Sequence, residues 1–255
     1  MEKVEDLVRV LFEVKYGKGR EEFKEVEDIF KYLERVFELV VEENYKPVLI
    51  LDEMQTIKEV VNTTGKPVIS GLFNFLIGIT KEKHFCHCLC VTSDCLFVDL
   101  VYTSARLEGR AKYFLVDDLE KETAFRVYEE FGFKNKDVVW NYVGGKIGDM
   151  VSLFEEKKRG YGEKEALDRM LKDQVVRLKD FLEAVAEGER GDVDIKEVKE
   201  ALKKLREGEV SSEEIPRKVR RFLIQENILF YNPLEGTVRF QSRLLEKAAH
   251  LGFAY

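Results

Sequence analysis

Two adjacent carboxylates, Asp52 and Glu53, directly follow the apolar run Val48–Leu51. A short continuous apolar run predicts a strand buried on both faces, as in a parallel sheet, and open α/β sheets bind ligands at the carboxyl ends of such strands. Neighbouring carboxylates repel each other unless a cation or water bridges them. One interpretation is therefore a magnesium site in which Asp52 holds Mg²⁺ through water and Glu53 orients an attacking water. The alternative is a strand that ends in exposed acids.

A second set of chemically capable residues lies on the next predicted buried strand. Its members are His84, Cys86, His87, Cys88 and Cys90. Because alternate side chains of a strand point to opposite faces, the three cysteines would face away from His87. Structural zinc sites take ligand pairs from turns with wider spacing, so the pattern favours small buried cysteines over a metal centre.

Four cations near the C-terminus form a basic helix. They are Arg217, Lys218, Arg220 and Arg221. One interpretation is a recognition helix against DNA phosphates, and the alternative is a solvated helix face in a unit that contacts protein. The acidic neighbours Glu213, Glu214 and Glu226 favour the alternative.

Composition limits the classes of protein to consider. The 255 residues are 45% hydrophobic and 36% charged, which is typical of a folded globular protein. A net charge of −7 argues against a protein that coats nucleic acid or anionic membrane over its whole surface. No apolar span is long enough to cross a bilayer, so we expect no membrane partner. All four cysteines lie between Cys86 and Cys95, and we expect reduced thiols in a cytoplasmic protein.

The N-terminal half is predicted to alternate strands with helices, as in a parallel sheet with helix cover. Leu7–Tyr16 alternates apolar and polar residues and predicts a half-buried strand, although a helix beginning at Glu2 competes with it. The further predicted elements are a helix over Phe23–Glu43, the strand Val48–Leu51, a helix over Ser70–Thr80, strands over Phe85–Thr92 and Lys112–Val116, and a helix capped by Asp118 and closed by Gly132.

The C-terminal half is predicted to be largely helical. After Gly144–Gly145 the pattern stays helical and highly charged as far as Gly188. Two helices, Ile195–Glu207 and Ser212–Glu226, then precede a β-hairpin of Ile228–Tyr231 and Thr237–Gln241, which is a winged-helix arrangement. We therefore predict an α/β core over residues 1–143, a helical lid over 144–190 and a winged-helix domain over 191–255.

With these segments placed, the chain resembles the archaeal ATPase family of AAA+/STAND-type P-loop NTPases. The resemblance runs from about Phe23 to the end of the sequence. VLILDEMQ resembles a Walker B motif and LCVTSD the end of a sensor-1 strand. LEGRAKYFLVDDLEKETAF resembles the family's glycine–arginine, strand and helix segment, and YVGGKIGDMVSLF its double-glycine entry to the lid.

The resemblance implies Mg²⁺ and ATP as cofactors and assigns a role to each candidate residue. Asp52 would be the magnesium acid and Glu53 the catalytic glutamate. Ser93, with Thr92 beside it, would be the sensor-1 group near the γ-phosphate. Arg110 would face a phosphate or an interface, and an exposed loop arginine is the alternative.

The phosphate-binding motif GxxxxGK[ST] does not occur in the sequence. In the family it follows a central strand, so the resemblance implies an incomplete P-loop NTPase-like sheet. Leu7–Tyr16 could fill the gap, the strands over Phe85–Thr92 and Lys112–Val116 could pair directly, or a missing N-terminal segment or partner chain could complete the sheet. We expect an ATPase module that is inactive alone, and the alternative is a non-enzymatic regulator that binds DNA or protein through its winged helix.

Overall fold

The computed structural model describes residues 26–57, 68–102 and 107–252. The chain divides after Lys112 into two compact units, each with its own hydrophobic core. The predicted strand Leu7–Tyr16 lies outside the described residues.

The first unit contains helices and a two-stranded parallel sheet. Its elements are α1 (Val26–Glu42), β1 (Val48–Leu51), α2 (Val68–Ile77), β2 (His87–Cys90) and α3 (Cys95–Tyr102). A π-helical turn, Gly78–Glu82, extends α2. Asp94 caps α3 by accepting hydrogen bonds from the backbone N–H groups of Leu96 and Phe97 at 2.8 and 3.1 Å. Within the described residues, the predicted helices over Phe23–Glu43 and Ser70–Thr80 and the predicted strands Val48–Leu51 and Phe85–Thr92 are confirmed, with β2 shorter than predicted, and α3 was missed.

Among the described residues, helices cover one face of the sheet and leave the other exposed. Leu49, Leu51 and Cys88 pack against a core from α1 and α2 that includes the stacked rings of Phe30 and Phe75, with centroids 5.0 Å apart. On the opposite face the exposed fractions of three apolar side chains exceed one half: Val48 at 54%, Ile50 at 61% and Leu89 at 53%. The prediction that β1 is buried on both faces is therefore wrong within the described residues, because only one face packs against helices.

The predicted strand Lys112–Val116 is wrong. Residues 111–120 form no helix or strand, and the side chains of Phe114 and Val116 are 83% and 95% exposed. A strand requires hydrogen bonds to a neighbouring strand, and no neighbour pairs with this segment among the described residues. The segment therefore forms no strand, although most of its residues are apolar.

The second unit begins with four helices around a shared core. They are α4 (Lys121–Glu130), α5 (Lys136–Val143), α6 (Ile147–Lys158) and α7 (Glu163–Ala186). Tyr128, Val139, Met150 and Leu167 are among the fully buried side chains that join them. The cap of α4 is Glu120, without a side-chain hydrogen bond, so the prediction that Asp118 caps this helix is wrong. The predicted end at Gly132 fits its φ of +68°.

The C-terminal part of the second unit adds helices and a three-stranded antiparallel sheet. Its elements are α8 (Ile195–Lys204), β3 (Val210–Ser211), α9 (Arg217–Gln225), β4 (Leu229–Asn232), β5 (Thr237–Phe240) and α10 (Arg243–Gly252). The sheet order is β3–β5–β4, so the predicted hairpin is confirmed and β3 was missed. Pro216 divides the predicted helix Ser212–Glu226 into a short 3₁₀ turn and α9.

The described chain is thus a mixed α/β protein that is mostly helical, with a small parallel sheet. The predicted domain boundaries at 143/144 and 190/191 both fall inside the second unit, and the three-domain division stays a prediction. Among the described helices, none combines the length and the apolar character that crossing a membrane requires.

Candidate functional site

The ends of β1 and β2 form one edge of the parallel sheet. The Val91 N–H donates to the Leu51 carbonyl at 2.7 Å, and the Met54 N–H donates to the Val91 carbonyl at 3.1 Å. These bonds continue the pairing beyond the last residues of the strands. The predicted site residues that this edge brings together are Asp52, Glu53, Thr92 and Ser93.

The backbone of Glu53 adopts a left-handed conformation, with φ of 53° and ψ of 41°. This conformation costs about 1–2 kcal/mol for a residue with a side chain, so neighbouring contacts must hold it. The Glu53 N–H donates to Asp52 Oδ1 at 2.8 Å. The Glu53 carbonyl accepts from the Thr56 N–H at 3.0 Å and from Thr56 Oγ1 at 2.8 Å, and the Met54 side chain is buried below. The turn therefore fixes the position of the Glu53 Cα–Cβ bond, from which the carboxylate side chain extends.

Gln55 connects the two strand ends, and sequence reasoning missed it. Its amide nitrogen donates to a carboxylate oxygen of Glu53 and, at 3.3 Å, to Ser93 Oγ. Its amide oxygen accepts from Thr92 Oγ1 at 2.6 Å. The only available signal in the sequence was its position two residues after Glu53. One half-buried amide thus holds the predicted catalytic carboxylate and both predicted sensor hydroxyls.

The chemistry of this edge fits a hard divalent cation. Asp52 and Glu53 are exposed carboxylates, and Thr92 and Ser93 add hydroxyl oxygens on the neighbouring segment. Mg²⁺ is bound in proteins by oxygen ligands of this kind, usually through one or two carboxylates with several waters retained. Asp52 Oδ1 accepts the Glu53 N–H, which leaves Oδ2 as the oxygen that could contact a hydrated ion.

Arg110 comes after α3 in the chain and belongs to neither strand end. It closes the turn Leu107–Arg110, where its N–H donates to the Leu107 carbonyl at 2.9 Å. Gly109 within the turn has a φ of +69°, which favours glycine. The Arg110 side chain is exposed, and its phosphate or interface role stays a prediction.

The four cations of α9 are engaged to different extents. Lys218 pairs with Asp192 at 2.8 Å. The Arg220 guanidinium donates to the Ser212 carbonyl and lies 5.5 Å from the ring centroid of Tyr231. Arg217 and Arg221 are exposed. Partner binding by this helix stays a prediction, and these two residues would be its most accessible cations.

The cysteine cluster is only partly buried. Cys86 is buried, Cys88 is half-buried and Cys90 is exposed, so the prediction of small buried cysteines is wrong for Cys90. No group of three or more metal-ligating side chains converges within ranges 26–57, 68–102 and 107–252. The sulfur atoms of Cys88 and Cys90 lie 3.8 Å apart.

Comparison with protein families matches two segments of the chain. Residues 2–153 match a family described as an ATPase domain predominantly from Archaea. Residues 164–249 match a family described as the C-terminal domain of uncharacterized ATP-binding proteins like MJ1010.

Several relatives in Methanocaldococcus jannaschii are named uncharacterized ATP-binding proteins. MJ0075 is 40% identical over 231 residues, covering 87% of this chain and 62% of that protein. MJ0147 is 39% identical over 254 residues, covering 92% and 68%, and MJ0632 is 39% identical over 234 residues, covering 88% and 63%. The chain therefore spans about two thirds of the length of these relatives.

One similar solved structure is the C-terminal domain of a possible ATP-binding protein from the same organism. It is 29% identical, covers 34% of this chain and 92% of that structure, and has a TM-score of 0.32.

Proposed function

The chain belongs to the family of ATPase domains found predominantly in Archaea, and from that premise we propose that its sheet edge is the acid side of an AAA+/STAND-type Mg²⁺-ATP site. VLILDEMQ is then the Walker B motif, and Thr92–Ser93 is the sensor-1 position. The observation that supports this proposal is the hydrogen-bond network of Gln55, which ties Glu53 to both hydroxyls.

Each residue has a distinct task at this edge. Mg²⁺-ATP, when bound, supplies the phosphorus that water attacks and a metal charge that neutralises the phosphate oxygens. Asp52 would hold the hydrated cation through Oδ2, because Oδ1 accepts the Glu53 N–H. Glu53 accepts a hydrogen bond from the attacking water, while Gln55 limits the rotation of its carboxylate. Ser93 offers a hydroxyl to a phosphate oxygen, and Arg110 faces a phosphate or a neighbouring subunit.

The phosphate-binding side of the site is proposed to come from another segment. The chain contains no GxxxxGK[ST] motif, whose backbone N–H groups and lysine would bind the phosphates. The exposed outer face formed by Val48, Ile50 and Leu89 supports this, because parallel strands are normally covered on both faces. We therefore propose that a separate segment with that motif, supplied in cis or by a partner chain, adds a strand to the edge of the sheet and covers this face with the helix that follows the motif, and that this chain alone is inactive.

Calorimetric titration with Mg²⁺-ATP tests the proposal. Alone, the wild-type chain should show a dissociation constant weaker than about 1 mM. Co-expression with the part of MJ0075 that this chain does not span should bring the constant below about 0.1 mM and produce hydrolysis.

In that complex, Glu53→Gln should lower turnover at least about 100-fold with little loss of ATP affinity, because it removes the water-orienting carboxylate. Asp52→Ala should weaken Mg²⁺-dependent binding instead. Glu42→Ala removes an exposed carboxylate at the end of α1 and is the matched control. Equal turnover in wild type and Glu53→Gln would refute the assignment, and tight binding by the chain alone would refute the missing phosphate side.

A second candidate function is partner binding by the C-terminal helices and hairpin, which we propose form a winged helix. The observation that favours it is the exposure of Arg217 and Arg221 on α9, directly before β4 and β5. Both cations are free of the packing that engages Arg220 against Tyr231. DNA or a protein partner with an acidic surface would suit such a face.

Fluorescence anisotropy with a labelled DNA duplex at low and high salt separates the two partners. DNA binding should weaken steeply as salt rises and should be lost in Arg217→Ala/Arg221→Ala. Lys199→Ala removes an exposed cation from α8 and serves as the control. If no binding is measured at low salt, the DNA version is excluded and a protein partner remains.

A further inference from the structure

Cys88 and Cys90 form a thiol pair on β2. They are two positions apart on the strand, so both side chains project from the same face. Their sulfur atoms are 3.8 Å apart and share a hydrogen bond. Cys86 lies further back on the same chain segment but is buried, whereas Cys90 is exposed.

The two thiols differ in accessibility. Cys90 is exposed, whereas Cys88 is half-buried beside it. An exposed thiol that a small molecule can reach, in contact with a second and less accessible thiol, is the arrangement of an attacking and a resolving cysteine.

We propose that Cys88 and Cys90 are a redox-active pair that forms a reversible disulfide by exchange with a small-molecule disulfide. The Cys90 thiolate attacks one sulfur of the small disulfide and releases the first small thiolate, which gives a mixed disulfide. Cys88 then loses its proton to solvent, and its sulfur attacks Cys90 Sγ and releases the second small thiolate. The protein pair loses two electrons and two protons, and the small disulfide is reduced to two thiols.

Closing this bond must distort the strand. Residues two apart on a strand have Cα atoms about 6.6 Å apart, near the upper limit for a disulfide, and the sulfurs must close to about 2.05 Å. The affected part of β2 pairs with Leu49–Leu51 and leads directly to Thr92 and Ser93. Oxidation should therefore loosen the hydrogen bond from the Val91 N–H to the Leu51 carbonyl, next to the candidate site.

Thiol counting on the purified chain tests the pair independently of any nucleotide. After incubation with oxidised glutathione, reactive thiols should fall from four to two, with the intact mass reduced by two hydrogens, and dithiothreitol should restore both. Differential alkylation of the wild type should place the two lost thiols at Cys88 and Cys90. Cys95→Ser should keep the response, whereas Cys88→Ser and Cys90→Ser should abolish it.

Four surviving thiols, a stable glutathione adduct on Cys90, or a bond to Cys86 or Cys95 would each overturn the proposal. Hydrogen exchange tests the consequence for the strand. The Val91 amide should exchange at least about tenfold faster in the oxidised chain. Unchanged exchange would show that the disulfide forms without reaching the site edge and would overturn that part of the proposal.

Discussion

Gly145 provides a direct test of the second unit, because its replacement by alanine has a sterically defined result. A Cβ atom at this position would lie 1.9 Å from the Leu119 carbonyl oxygen and 2.6 Å from the Leu119 nitrogen. Both are backbone atoms, so no side-chain rotation relieves the overlap. Reaching an ordinary contact of 3.4 Å requires a displacement of about 1.5 Å.

That displacement has two costs. It breaks the hydrogen bond from the Leu119 N–H to the Gly145 carbonyl, which is 3.0 Å long and contributes about 1 kcal/mol. Overpacking of a fitted site costs a further 1–3 kcal/mol, roughly. Gly145→Ala should therefore lower the free energy of unfolding by about 2–4 kcal/mol.

Urea unfolding followed by tryptophan fluorescence measures this effect. Trp140 is the only tryptophan and lies on α5, which ends just before Gly144, so it reports on this unit. The control is Gly148→Ala on α6, where an added Cβ meets nothing within 4 Å and should stabilise the helix by up to about 1 kcal/mol. If the free energy of unfolding of Gly145→Ala stays within about 0.5 kcal/mol of the wild-type value, the backbone of Leu119 does not approach Gly145 this closely.

Three further predictions concern single contacts. The Arg239 guanidinium lowers the pKa of Asp117, so the stability from this pair is present above pH 3.8 and is lost as pH falls through the lowered pKa. Asp117→Asn should therefore reduce the fall of the unfolding midpoint with decreasing pH. An unchanged dependence of the midpoint on pH would contradict this prediction. Glycine adopts the left-handed conformation of Glu53 without strain, so Glu53→Gly should leave the free energy of unfolding unchanged or raise it by up to about 1 kcal/mol. Glu120 has an ordinary φ of −63°, so Glu120→Gly should lower the free energy of unfolding. A double-mutant cycle of Gln55→Ala and Thr92→Val should give a coupling of about 0.5–1.5 kcal/mol in unfolding free energy; additive effects would mean that the 2.6 Å hydrogen bond contributes nothing.

The sequence predicted those elements whose signal is local. The apolar periodicity of α1 and the turn residues between β4 and β5 act within a few residues, and the structure contains both elements close to their predicted bounds. The edge at Asp52 and Glu53 was also predictable, because it requires only a strand followed by acids.

The failures have a different physical origin. Lys112–Val116 has the composition of a strand, but a strand also needs a partner that the periodicity of one segment cannot reveal. Asp118 is a good capping residue, yet the close packing of Leu119 against Gly145 moves the start of α4 to Lys121. In both cases a contact distant in sequence decides the local structure.

Gln55 shows the same limit at the candidate site. Its three hydrogen-bond partners include residues 37 and 38 positions away, and only the parallel pairing of β1 with β2 brings them within reach. Composition does not distinguish this glutamine from a solvated one, since the distinction arises from the sheet register.

The acid edge is therefore held by contacts that both strands supply themselves. Backbone pairing continues beyond Leu51, the buried Met54 side chain anchors the turn, and Gln55 joins the side chains across it. None of these contacts involves the bare outer face of the sheet, where Ile50 is 61% exposed. If the proposed phosphate-binding segment covers that face, it should bind without rearranging the acid edge, and the proposed complementation should therefore need no change in the sequence around Asp52.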